Sequence, residues 1–175
     1  MQHDDIRKQY QDGTEEDGTD AGGTGITDRR DAAGGQEETR QDDVMYMEVK
    51  YAYEEIAGAS SSPAETAKKQ CDYLLEKLES DPANYVYNTC LVERTAELSR
   101  YANFAGYDEE VWDGYRNKAI QCGTQVIRFC RKKEWVERTH FALAWIYIHE
   151  KDFTSAREHI ATLPSAASNR LQESI

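Results

Sequence analysis

From Val44 onward, apolar side chains return at intervals of three and four residues in one segment after another. That spacing specifies amphipathic helices. No long run alternates apolar and polar residues between turn formers, as a half-buried strand would require. Met45, Val49, Tyr53 and Ile56 share one helical face. Ala67, Cys71, Leu74, Leu75 and Leu78 share a second. A third is made by Tyr87, Leu91, Thr95, Leu98 and Tyr101, with Val86 and Cys90 beside it. Val111, Tyr115, Ala119, Cys122, Val126 and Phe129 form a fourth. From Phe141 to Ile148 the chain is apolar almost all round, which predicts a helix buried on more than one side.

The punctuation agrees with this spacing. Pro63, Pro82 and Pro164 are the only prolines, and each suits a helix boundary. Ser62, Asp108 and Asp152 precede helical stretches and are expected to cap them. Gly58 and Gly106 are stop signals. Gly114 and Gly123 fall inside the fourth helix, where each costs about 1 kcal/mol against alanine, unless a close helix approach needs it. The links are short, so the helices pair antiparallel: first with second, third with fourth, fifth with sixth. A last short helix from Ser165 covers the open end. The fold class expected is all-α, about three antiparallel pairs plus a capping helix over residues 44–175.

Residues 1–43 differ in kind. They hold seven of the eleven glycines and thirteen acidic against five basic side chains, a net of −8 out of −12 for the 175-residue chain. So acidic and apolar-poor a segment cannot offset its ordering entropy by burial, and a disordered tail is expected. Net negative charge opposes direct nucleic-acid contact. The short basic run Arg128–Lys133 suits a helix C-terminus. No apolar run reaches the ~20 residues of a membrane span, and the N-terminus lacks a signal-peptide core, so the expected location is cytoplasmic. Cys71, Cys90, Cys122 and Cys130 sit at helical positions without metal-ligand spacing and read as free core thiols.

Little here carries chemistry. Glu137 and His140 stand three apart on one helix, as in di-iron bundles, but no second such pair exists. They support a metal-binding or enzymatic bundle only as the alternative reading. His149 and His159 match no zinc pattern. Gly22–Gly25 lacks the lysine and helix of a phosphate loop. No metal, cofactor or catalytic residue is assigned, and the chain is read as non-enzymatic. Aromatic residues concentrate between Tyr85 and Tyr115. Tyr107, Trp112 and Tyr115 are the candidates for a peptide groove, with Arg116, Lys118 and Arg128 as cations to hold a peptide carboxylate.

One segment is more specific. From Leu143 to Ala156 the chain reads LAWIYIHEKDFTSA. Small Ala144 and Ala156 stand where two helices approach, and Leu143, Tyr147 and Phe153 fill the space beside them. This resembles the tetratricopeptide repeat, a helix–turn–helix of about 34 residues. The turn of that motif usually holds glycine, and Lys151 stands there instead. The longer stretch from Val126 to Ser165, and more loosely Ala64 to Ile175 with Leu163, Pro164, Ser165 and Arg170, is similar to the C-terminal domain of bacterial XRE-type helix-turn-helix regulators. The resemblance implies a tetratricopeptide-like stack and the regulatory half of a transcription system, or a stand-alone relative, without its DNA-binding domain. The partners so implied are a protein, a peptide or a second copy of the chain, with no membrane.

Overall fold

A computed structural model describes residues 27–102 and 108–175. Among them the chain is all-α, with no strand. The helices are α1 (Thr27–Ala59), α2 (Pro63–Ser80), α3 (Tyr85–Ala102), α4 (Glu109–Phe129), α5 (Lys133–His149), α6 (Phe153–Ile160) and α7 (Ser165–Gln172). None of them is long and apolar enough to cross a membrane. The chain divides into two units, Met1–Thr39 and Arg40–Ile175. In the first unit, Thr39 Oγ1 donates to the Gly35 carbonyl at 2.8 Å within the helix.

Helix α1 begins well before Val44, the start expected from the apolar stripe. Gln36, Glu37, Glu38, Arg40 and Gln41 are good helix formers. They are polar and exposed, so no stripe announces them. The other starts follow their caps. Ser62 accepts from Glu65 N at 3.1 Å with Pro63 in the first turn. Asp108 accepts from Glu110 N and Asp152 from Ser155 N. Each satisfies an amide that the helix itself leaves free.

Successive helices fold back on each other. Gln70 and Cys71 of α2 meet Arg94 and Thr95 of α3. Trp112 and Gly123 of α4 meet Glu150 and Leu143 at and near the end of α5. His140 of α5 meets His159 of α6. Alternate helices run parallel. Tyr85 of α3 donates to Asp42 of α1, 43 residues away. Tyr115 of α4 donates to Asp72 of α2, also 43 away. Thr89 of α3 and Thr139 of α5 are 50 apart. So α1, α3 and α5 lie side by side, and α2 and α4 lie behind them.

The core follows the expected faces with a few corrections. Leu74, Leu91, Leu98, Leu143 and Ile146 are almost wholly buried, as are Ala144 and Ala156 in a second cluster with Ile148, Ile160 and Leu171. Tyr147 packs against both clusters. Phe153 is half-buried outside them, because it opens α6 and sits at the helix end, not between helices. Val111 and Phe129 are exposed, contrary to the expected inward face of α4. They occupy its first and last turns, beyond the reach of its neighbours. The four thiols are free, and burial pushes those of Cys71 and Cys90 up to about 12.

The glycines of α4 have different reasons for being there. A methyl at Gly123 would stand 2.9 Å from Leu143 Cδ1, so α4 and α5 approach here as closely as they do because the position is bare. Around Gly114 there is nothing within 4 Å. At the end of α5, Lys151 takes φ 63°, the left-handed conformation that glycine adopts freely. Lys151 N donates to Ile148 O and Asp152 N to Tyr147 O, the paired bonds that close a helix around such a residue. The turn therefore forms without its usual glycine.

Urea denaturation of variants checks these assignments. Gly114→Ala should stabilise by about 0.5–1 kcal/mol, whereas Gly123→Leu should destabilise by about 1–3 kcal/mol through overpacking. Lys151→Gly should stabilise by about 1 kcal/mol, by removing the left-handed strain. A destabilised Lys151→Gly would show that its side chain, not its backbone, matters to the turn.

Candidate functional site

Parallel packing of α3 on α5 leaves a groove of about 590 Å³ along their shared face. Ala96 and Ala142 are small where the two helices meet, and Phe141 and Trp145 stand beside them in a T-shaped pair with ring centroids 6.4 Å apart. The polar lining comes from Glu93, Arg94, Glu97 and Arg100 of α3 and from His149 of α5. Tyr46 of α1 reaches in as well. An apolar floor with a few placed polar groups is the usual make-up of a binding site, and this volume lies within the usual range.

Most of the charge is already matched inside the chain. Arg138 grips Glu93 with two parallel bonds, at 2.8 and 2.9 Å. Its guanidinium also lies 4.3 Å over Trp135 and 4.5 Å over Tyr46. Arg100 pairs with Glu97 at 3.3 Å. His149 is held by a hydrogen bond between Nδ1 and Ser99 Oγ and by stacking on Trp145 at 5.4 Å. Its burial holds the imidazole pKa below the usual histidine value. Arg94 is the exception. It donates to Gln70 Oε1 at 3.3 Å and covers the Tyr53 ring, but no carboxylate among the described residues pairs with it. Its Nε is buried without a hydrogen-bond partner. Arg94 and Glu97 also line the neighbouring depression beside Ser61, Ser62 and Thr66, so the polar edge continues past α3.

The residues expected from sequence do not make this site. Tyr107 lies outside the described residues, as do Phe104 and Gly106. Trp112 and Arg116 both engage Glu150, at 3.3 and 2.5 Å, and Tyr115 donates to Asp72. Those three side chains tie α4 to its neighbours. Burial, with the Asp72 bond, pushes the Tyr115 phenol up to about 12. Lys118 and Arg128 are exposed, and Arg128 lies over the exposed Phe129 ring at 5.2 Å. The physical reason is the layer: α4 lies behind α3 and α5. Glu137 and His140 are not brought to one centre either. Glu137 pairs with Lys133 at 3.4 Å, and His140 Nδ1 faces His159 Nδ1 at 2.9 Å. Among the described residues, no group of three histidine, cysteine or acidic side chains is placed to hold a metal ion.

Sequence reasoning missed Arg94, Glu97 and Arg100 altogether. Phe141 and Trp145 were legible only as members of a very apolar helix. No family model matches the chain, and comparison with the curated proteins and with the solved structures finds no match.

The two facing histidines generate a pH prediction. With both Nδ1 atoms 2.9 Å apart, one must donate and the other accept, so the pair cannot hold two protons there. Tyr147 stacks on His159 at 5.6 Å. Burial, then His140, holds the His159 pKa at about 4 instead of 6.5. Below pH 6.5 the unfolded chain takes up a proton that the folded chain refuses until about pH 4. The contribution to stability is therefore full above pH 6.5 and is lost as pH falls toward 4. In urea titrations, His159→Phe should flatten the pH dependence across that window. An unaltered slope would mean that the imidazole titrates as it does in water.

Proposed function

We propose that this chain is a non-enzymatic interaction module that receives a segment of another protein in the groove between α3 and α5. The observation that carries the reading is Arg94: a buried guanidinium nitrogen without a partner, beside an apolar floor of Phe141 and Trp145. A segment offering one carboxylate and one large apolar side chain would match both. The acidic balance of the chain supports a protein partner over nucleic acid.

The likeness of Leu143–Ala156 to a tetratricopeptide unit, and of Val126–Ser165 to the C-terminal domain of XRE-type regulators, supports the same reading. On it the chain is a regulatory half that acts through another protein. The likeness belongs to the last pair. Neighbours on equivalent helices are 43 to 50 residues apart. The units are therefore longer than the about 34 residues of that repeat and nearer to other helix-pair arrays. Both kinds of array present one layer of helices to a ligand.

Selection from a random peptide library on the full chain tests the proposal. The expected outcome is a set of peptides combining an acidic and a large apolar residue. Their affinity should fall about tenfold or more with Arg94→Gln and with Trp145→Ala. Lys118→Gln on α4 should leave it unchanged. Peptides indifferent to both groove substitutions would overturn the reading.

A further inference from the structure

One face of α1 is exposed among the described residues. Arg40, Val44, Met47, Tyr51, Glu54 and Gly58 recur at alternating intervals of four and three, and all six are exposed. Val44 is 55%, Met47 45% and Tyr51 62% accessible. The face that packs on the core is a different one, with Met45, Val49 and Tyr53. Alternating intervals of four and three form the seam of a two-stranded coiled coil, whose apolar positions meet a second helix. The seam also lies at one end of the helix array, where a polar outer face is normally found. The other end is closed by α7, whose residues other than Ala167, Ser168 and Leu171 are exposed.

We propose that this seam pairs with the same helix of a second copy of the chain, antiparallel, with the two-fold axis through Met47. The charges choose both partner and direction. Arg40 and Glu54 each lie seven residues from Met47 (47 − 40 = 54 − 47 = 7), so the axis sets Arg40 opposite Glu54 of the second copy, twice. Asp43 and Lys50, four and three residues from Met47, flank the apolar centre and lie within one residue of facing each other across the same axis. None of these four has an ion-pair partner within the chain among the described residues. Lys50, itself exposed, rests over the Tyr46 ring at 4.4 Å. A parallel pair would set Arg40 against Arg40 and Glu54 against Glu54, and is disfavoured.

Three apolar positions per helix give a reversible dimer, not an obligate one. Sedimentation equilibrium of the full chain from micromolar to several hundred micromolar, at low salt, should show monomer passing to dimer. Met47→Glu should leave only monomer with an unaltered thermal midpoint, because the side chain is exposed. Arg40→Glu and Glu54→Arg should each weaken self-association about tenfold. Mixing those two variants should restore it, since every facing pair in the mixed dimer is again opposite in charge. A chain that stays monomeric at all concentrations, or a dimer indifferent to Met47→Glu, overturns the proposal. Failure of the mixture to recover overturns the antiparallel register.

Discussion

Thr89 and Thr139 share a hydrogen bond in a place where neither reaches water, and the contact of α3 with α5 is built around it. Thr139 gives its own proton to the Trp135 carbonyl at 2.8 Å, so Thr89 is the donor to Thr139. A buried hydroxyl without a partner would cost about 1–3 kcal/mol, and here both hydroxyls are used. Their small size lets the backbones of two parallel helices come close. The Arg138–Glu93 fork and the Ser99–His149 bond fall further along the same seam, and each would break if one helix slid by a turn. Arg138 then carries the order outward by lying over Trp135 and Tyr46, which brings α1 into the layer. The groove is the outer flank of this seam. Its walls are as fixed as the threonine pair beneath them.

Much of the fold was legible because it depends on neighbours in sequence. Ser62, Asp108 and Asp152 act locally, within three residues of themselves, and all three cap as their positions imply. The stripes of α2 and α3 are buried as read, apart from Leu75, Tyr87 and Tyr101, which are half-buried. What failed was information of another kind. The polar start of α1 has helix propensity but no apolar period. The bare Gly123 and the open Gly114 look alike in sequence, and only the distance to Leu143 tells them apart. The site was the least legible part. Arg94 and Trp145 are far apart in the chain, and no local spacing links them. Density of aromatic residues drew attention to Trp112 and Tyr115, but density along a chain says nothing about which layer a helix occupies.

The two faces of α1 show the same limit in a different form. Reading the stripe Met45, Val49, Tyr53 and Ile56 assigns the helix an inner side, and by default the rest becomes surface. Val44, Met47 and Tyr51 fit that default badly, since three large apolar residues at coiled-coil spacing are not scattered exposure. Single exposed apolar residues need no account. A line of them, bounded by unpaired charges of opposite sign at equal distances from its centre, does.

Arg94 matters for the same reason of balance. In and beside the groove, Arg100, His149 and the Arg138 that grips Glu93 each have a partner that fixes them, so the field they present is largely neutralised. Arg94 keeps one amide hydrogen bond and an aromatic face, and its Nε remains without an acceptor. A guanidinium left in this state is destabilising in the free protein, because a buried donor has exchanged water for nothing. An incoming carboxylate would remove that penalty and form its own bond in the same step. The difference between free and occupied states is therefore larger at Arg94 than at any paired cation around it. On the proposed reading, the apolar floor alone would hold many segments, and the arginine would distinguish among them.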